Sequence, residues 1–420
     1  MNVLWISNIV FPEAQELLTG KGALKATGGW MVGAANALVR QPEVKLAVAT
    51  VSMSVKELTR LEGKSILYYL LPYGKGYYKR NHEYEPLWKK VRDEVKPDVV
   101  HIHGTEYTHG LAYVEACGSD NVCVSIQGLV SVYARYYYSG LSKSEIRRAV
   151  TFESIVKGNI LSEQKGFMNR GECEKDLLKR VKHILGRTSW DRAHAWAINP
   201  AAVYHHAGET LRPEFYSGAE WSYDQCTPHS IFLSQSVYPI KGLHQVLKAM
   251  PLVLRHYPDA MIRIAGRDII ESSTLKEKLR LSEYGCIVRK MISKYELHSH
   301  IVFTGALDAE GMIKEYLKCN VFISPSSIEN SPNSLGEAQV LGVPCISSYV
   351  GGTMDMISEP NHGELYRFDE IEMLAYKICE MFERSKKFDN RDMIVTALKR
   401  HNETENASQL LSTYCEIATK

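Results

Sequence analysis

The sequence predicts an α/β protein built from two doubly wound halves, each a parallel sheet covered by helices. Three observations carry that reading. Short apolar, β-branched runs alternate with longer helix-like stretches along the whole chain. The alternation restarts after about Tyr216, and 420 residues exceed one ordinary domain. The runs of the second half are apolar almost without interruption, as strands buried on both faces should be.

In the first half the strand candidates are "VLWIS", "KLAVATV", "PDVVHIHG", "NVCVSIQG" and "HILGRTS", each closing on Gly, Ser or a polar residue. Between Gly29 and Arg40, "GWMVGAANALVR" sets small and apolar residues at helical spacing. The second half offers "SIFLSQS", "MIRIAG", "HIVFTG", "NVFISPSS" and "VPCISS", separated by helical stretches such as Leu243–Tyr257 and Ala309–Cys319. The aperiodic, Gly- and Pro-containing stretch between the halves reads as a linker. The expected division is therefore 1–207, a linker at 208–221, and 222–400. In such an architecture ligands bind in a cleft at the carboxyl ends of the strands.

Composition excludes several functions. The chain is 45% hydrophobic and 23% charged, an ordinary globular balance. With 50 basic and 48 acidic residues, it is not expected to bind nucleic acid. Its nine cysteines form no CxxC, which argues against a zinc site and a disulfide framework and for reduced thiols in a cytoplasmic protein. "MNVLWISNIVFPEAQ" lacks a basic start and a long apolar core, so it reads as a first strand rather than a signal peptide. No apolar run reaches the roughly eighteen residues of a membrane span. The Asn402-Glu403-Thr404 sequon is accordingly expected to be silent.

Residues 133–182 differ from the rest. "YARYYYSGLSKSEIRRAV" and "KDLLKRVKH" combine tyrosines, apolar residues and a local basic excess. Contact with the inner face of a membrane is one reading, and solvated helices lining the cleft are the commoner outcome of such a pattern.

Three stretches carry candidate chemistry. In "SQSVYPIKGLHQVLKAM", Lys241 lies between a strand end and a helix start, where it could meet an anion favoured by the helix N-terminus. In "ATGGWMVGAANAL", Gly28 and Gly29 open a helix without Cβ atoms, so a phosphate or sugar could approach the backbone. A tight turn into a helix explains that pair equally well. It is not GxGxxG, which weakens a dinucleotide reading. The sharpest stretch is "SSIENSPNSLGEAQVLGVPCISS", Ser326 to Ser348. Glu329 falls in a loop after a strand. Pro332 to Leu341 reads as a helix that Asn333 or Ser334 could cap, with Glu337 in its first turns. Backbone N–H groups flanked by two carboxylates suit a ligand with a central diphosphate and hydroxyl-rich rings at either end.

"ENSPNSLGEA" resembles the E-x7-E motif of the group 1 retaining glycosyltransferases. The resemblance extends in order through "TGGW", "PDVVHIHG", "VSIQG", "YPIKG", "HIVFTG" and "LGVPCISSYVGG". It implies the GT-B fold, two Rossmann-like doubly wound domains facing a cleft, with the final helix (about 401–420) crossing back onto the first. It implies transfer of a sugar from a nucleoside-diphosphate donor such as a UDP- or GDP-sugar, without a metal cofactor, to a glycan or lipid-linked acceptor. Glu329 would hold donor-sugar hydroxyls and Glu337 the ribose. The backbone around Asn333, Ser334 and Leu335 would hold the diphosphate, with Lys241 completing the charge. Ala306 in "TGAL" would border the base, and Gly28 and Gly29 would approach from the other domain.

Two positions depart from the family pattern. Gln235 and Ser236 stand where an Arg is common, and Arg267 is a candidate replacement for its charge. Gln127 stands where a His is common; it can bond a sugar hydroxyl but cannot titrate. Glu329, Lys241 and Gln127 are the candidate catalytic residues, and His103 and Glu106 the candidate acceptor contacts. His101 and His103 are expected on opposite faces of their strand, one in the core and His103 toward the cleft. No further ligands near them suggest a metal. Two other functions compete: a hydrolase using Glu329 and Glu337 as a carboxylate pair, and a non-catalytic nucleotide-sugar-binding protein.

Overall fold

The computed structural model describes residues 1–20, 29–73 and 82–419. Two compact units result, one of residues 1–134, 166–212 and 400–420, the other of residues 135–165 and 213–399. The division expected from sequence differs from this at residues 135–165, which group with the second unit, and at the expected linker 208–221, of which 208–212 group with the first unit and 213–221 with the second. Gly28 lies outside the described residues.

The first unit is built on one sheet: β1 (Asn2–Ile6), β2 (Lys45–Ser52), β3 (Thr59–Glu62), β4 (Ile66–Pro72), β5 (Val99–His103), β6 (Val122–Ser125), β7 (His183–Gly186) and β8 (Val203–His206). Their order is β3-β4-β2-β1-β5-β6-β7-β8, parallel except for the β3–β4 hairpin. Both faces are buried: Leu4 and Ile6 of β1 join one core cluster, Val3 and Trp5 the other. The helix Glu403–Ala418 covers the Trp5 face, where Tyr414 and Ile417 enter the core. Trp5 Nε1 donates to Tyr414 Oη at 2.9 Å. The strand order reverses between β1 and β5.

The second unit has a wholly parallel sheet of β9 (Ser230–Leu233), β10 (Met261–Ile264), β11 (Ile301–Phe303), β12 (Val321–Ser324), β13 (Cys345–Ser348) and β14 (Glu364–Tyr366). Its order is β11-β10-β9-β12-β13-β14, so the switch point lies between β9 and β12. In a doubly wound sheet the crevice outside the carboxyl ends of those two strands receives ligand.

Residues 135–165 join this unit through buried groups. His244 Nε2 bonds Ser139 O at 2.6 Å, Ser327 Oγ donates to Tyr136 O at 3.1 Å, and Ile160 N donates to Glu283 Oε2 at 2.7 Å. Leu141 and Ile146 are buried there. Chain order alone could not assign the segment, because it has no strand to fix it in a sheet.

Candidate functional site

The switch point of the second unit brings Lys241 and Glu329 together. After β9 the chain passes a turn, Pro239–Lys241, into the helix Leu243–Val253. Gly242 joins them at φ 71°, and a Cβ there would lie 1.7 Å from Pro325 O. Only glycine permits that approach. Ser327 N donates to Ile240 O at 2.8 Å, fastening the turn to the loop after β12. Gly351 grips the same loop from its other side: at φ 54°, its Cβ would stand 1.7 Å from Glu329 O, which accepts from Gly352 N at 3.1 Å.

Within this frame Lys241 Nζ lies 2.5 Å from Glu329 Oε1, both side chains largely buried, and Ser326 Oγ donates to the same oxygen at 2.7 Å. Burial alone would lower the Lys241 pKa, but Glu329 and Tyr238 outweigh it and hold the ammonium above the usual lysine range. A fixed positive charge therefore stands where the two central strands end.

The helix Asn333–Val340 begins beside this pair. Its N-cap is Pro332, with no side-chain cap bond, so the expectation that Asn333 or Ser334 caps it is corrected. Proline has no side-chain acceptor, and Asn333 and Ser334 lie inside the first turn. Leu335 N already donates to Pro332 O at 2.9 Å, while the buried Asn333 Oδ1 has no hydrogen-bond partner. An uncapped first turn presents N–H groups and a positive dipole end to an anion. Glu337 is buried in the next turn, where Tyr316 Oη bonds Glu337 Oε2 at 3.3 Å and Ser334 O at 2.9 Å.

The other expected donor contacts are less enclosed. Gln235 is exposed and Ser236 buried in the loop after β9. Arg267 and Ala306 are exposed just past β10 and β11, in loops joined by the Gly266–Gly305 bridge, where Gly266 N donates to Gly305 O at 2.9 Å.

In the first unit, Gly29 starts the helix Gly29–Val39, and an added Cβ would meet Arg212 Cγ at 2.9 Å. His101 and His103 share one face of β5, which corrects the expectation of opposite faces. Strand side chains repeat every two residues, and the ring centroids stand 3.8 Å apart. His103 packs on Trp5 at 4.2 Å and is 4% exposed, with neither ring nitrogen partnered. Burial lowers its pKa to about 3, so it is a neutral imidazole. It borders a cavity of about 40 Å³ with His101, Gln127, Arg187 and Glu209. Arg187 Nη1 and Glu209 Oε1 form a buried ion pair there at 2.9 Å. The sequence reading named neither; Arg187 lies within "HILGRTS", directly after β7, whereas nothing in the linker marks Glu209.

Glu106 lies past the end of β5, at the first unit's switch point, where Asn8 Nδ2 donates to its Oε2 at 2.7 Å. Burial, reinforced by the Glu174 charge, pushes its pKa up to about 7 against the opposing effects of Asn8 and Arg170. A raised carboxyl pKa means that the folded state holds the proton longer than the unfolded chain. Stability is therefore lost as pH rises from the ordinary Glu range through about 7. We expect Glu106→Gln to gain stability on the parent over that window, by up to about 3 kcal/mol, and to hold a constant advantage above it. Urea denaturation at several pH values checks this, and a pH-independent difference would refute it.

Two doubly wound α/β units with this strand order define a GT-B protein. Residues 227–400 match the family described as glycosyl transferases group 1. Among curated proteins, a GDP-mannose-dependent alpha-mannosyltransferase of Corynebacterium glutamicum is 36% identical over 70 residues, 17% of each chain. A GDP-mannose-dependent monoacylated alpha-(1-6)-phosphatidylinositol monomannoside mannosyltransferase of the same organism is 24% identical over 160 residues, 36% of this chain and 38% of that one. This chain thus spans well under half the length of either relative. Among solved structures, sucrose-phosphate synthase from Thermosynechococcus elongatus superposes with a TM-score of 0.70 at 15% identity, covering 99% of this chain and 98% of that one. HepE of Anabaena in complex with UDP and glucose gives 0.65 at 13% identity, covering 99% of both. These likenesses give the fold.

Proposed function

We propose that the chain is a retaining glycosyltransferase that moves a sugar from a nucleoside-diphosphate donor, such as a UDP- or GDP-sugar, to a hydroxyl of a glycan or lipid-linked acceptor in polysaccharide or glycolipid synthesis. The observation that carries this reading is the fixed Lys241 cation beside Glu329, next to an uncapped helix N-terminus at a doubly wound switch point. The diphosphate would lie over the first turn at Asn333, Ser334 and Leu335, with Lys241 neutralising it. Glu337 would accept from ribose hydroxyls and Glu329 from the donor sugar. The Anabaena neighbour's complex with UDP and glucose supports a donor of this class.

As the bond from C1 to the diphosphate breaks, negative charge grows on the leaving oxygen. Lys241 and the helix amides would stabilise it, with Arg267 adding charge from the next loop. The acceptor oxygen would attack C1 on the face the diphosphate leaves, passing its proton to a departing phosphate oxygen. No metal is needed in this scheme. Gln127 would bond the sugar without titrating, and Glu106, together with the cavity that His103 borders, is our candidate for acceptor contact. The first unit would serve the acceptor and the second the donor, in the cytoplasm, with peripheral membrane contact through residues 133–182.

A non-catalytic nucleotide-sugar binder is the second reading, favoured by Gln127 and by the buried Ser236 at a position where an Arg is common. A hydrolase is less well supported, because Glu329 is committed to Lys241 and Glu337 to Tyr316. Thermal-shift measurement against a panel of nucleotide-sugars tests the proposal: the correct donor should raise the melting temperature by a few degrees, with turnover once an acceptor is supplied. Stabilisation without turnover on any acceptor would leave the binder, and activity without nucleotide would leave the hydrolase. Glu337→Gln is expected to raise donor KM about 10-fold with kcat nearly unchanged. Loss of turnover at saturating donor would make the carboxylate catalytic.

A further inference from the structure

One face of the second unit presents its side chains the wrong way round for a surface facing water alone. Residues 148–160 run alongside the helix Glu283–Lys294: Lys290 Nζ donates to Arg148 O at 2.8 Å, and Ile160 N bonds Glu283 at the helix start. Within that stretch lies the short helix Phe152–Lys157, packed beside the helix Leu275–Arg280. Its polar Ser154 is buried and tied into a capping box with Thr151. Its apolar residues point out: Ile155 is 73% and Val156 64% exposed, with Val150 and Phe152 also exposed. Leu275, 74% exposed, and Leu279 continue the patch on the neighbouring helix. Single exposed apolar residues are ordinary, but a contiguous group held by a cap marks an interaction surface.

The surroundings of the patch are basic. Arg148, Lys248, Lys290 and Lys294 line a groove of about 240 Å³ whose one carboxylate is Glu145. Burial and the Lys294 charge lower the Lys248 pKa, against the opposing pull of Glu145. Residues 275–280 add three basic side chains against one acidic, and the Glu153 carboxylate is engaged by Lys157. Among the described residues no helix is long and apolar enough to cross a membrane.

We propose that this face docks on an anionic membrane surface, with Phe152, Ile155, Val156 and Leu275 entering the interface and Arg148, Lys290 and Lys294 meeting lipid phosphates. Apolar tips ringed by cations match a bilayer whose headgroups are anionic and whose interior is apolar. The surface gives a place and a chemistry to the membrane contact proposed above for residues 133–182, but it stands on exposure and charge and does not depend on the transfer chemistry.

Flotation of the full chain tests the surface, using phosphatidylcholine vesicles with and without about one third phosphatidylglycerol. The chain should float with the anionic vesicles only, and less as salt rises. The pair Ile155→Ser with Val156→Ser and the pair Lys290→Glu with Lys294→Glu should each reduce partitioning about 10-fold. These positions are exposed, so melting curves should match the parent, and each pair checks the other should one fold poorly. Equal flotation with neutral vesicles, or both variants floating like the parent, would overturn the proposal. So would a parent dimer that the serine pair makes monomeric, since the occupant would then be a second copy. A donor thermal shift on the same preparations separates the readings: flotation with no donor response would sink only the transferase.

Discussion

Lys241→Ala should lower turnover by roughly 10²–10³-fold at saturating donor, the scale of losing one preorganised stabiliser of a developing charge. It should also destabilise the protein by about 3–5 kcal/mol, because Glu329 would be left buried without its cation. The two effects can be separated. Adding Glu329→Gln to Lys241→Ala removes the unpaired charge, so most of the stability should return while turnover stays low. Chemical denaturation and steady-state kinetics on the parent, the single variants and the double variant make the measurement. Recovery of turnover along with stability would reduce Lys241 to a structural partner of Glu329.

Gly242→Ala should be equally damaging for a different reason. The new methyl would collide with Pro325 O at 1.7 Å, and neither backbone can yield without moving the Lys241 turn off the Glu329 loop. We expect a loss of at least about 3 kcal/mol and of donor-induced stabilisation, although every ligand-facing side chain is intact. Gly218 is the control. It has a similar positive φ of 77° but open space around its Cβ, so Gly218→Ala should cost only about 1–2 kcal/mol. Similar losses at both positions would show that backbone conformation, rather than contact between the two loops, sets the cost.

Much of this architecture was legible in the sequence because parallel strands buried on both faces need unbroken apolar runs. All ten quoted runs contain strands, from Val3–Ile6 of β1 to Cys345–Ser348 of β13. Of the strands that escaped, β4 carries the same apolar run, "ILYYLLP", and was passed over, whereas β3, β8 and β14 lack it. β3 and β4 form an antiparallel hairpin at the sheet edge, β8 is a half-exposed edge strand reading "VYHH", and β14 has three residues.

The second unit's site was readable for a related reason: Lys241, Glu329 and Glu337 are local to strand–turn–helix junctions. The fastening of those junctions was harder to see. Gly242 and Gly351 are placed by oxygens far away in the sequence, and a glycine's neighbours across space leave no local trace. The first unit's cluster was read least well. Asn8 meets Glu106 across 98 positions, and Arg187 meets Glu209 through a stretch taken for linker. Buried polar pairs between distant segments impose no periodicity that one sequence exposes.

The chain passes between its two units four times, at 134/135, 165/166, 212/213 and 399/400. During synthesis, therefore, neither unit can complete itself from one uninterrupted length of nascent chain. Trp5 of β1 finds its bonding partner in Tyr414, 409 positions later. Until then the indole N–H and the His101 ring beside it lack the hydroxyl that both engage. Folding of the first unit should therefore be slow and post-translational, since contacts of such sequence separation close late. The same threading sets the rule for dissection. A fragment spanning 213–399 leaves out residues 135–165, so a faithful isolated second unit must carry both pieces, rejoined by permutation or co-expression.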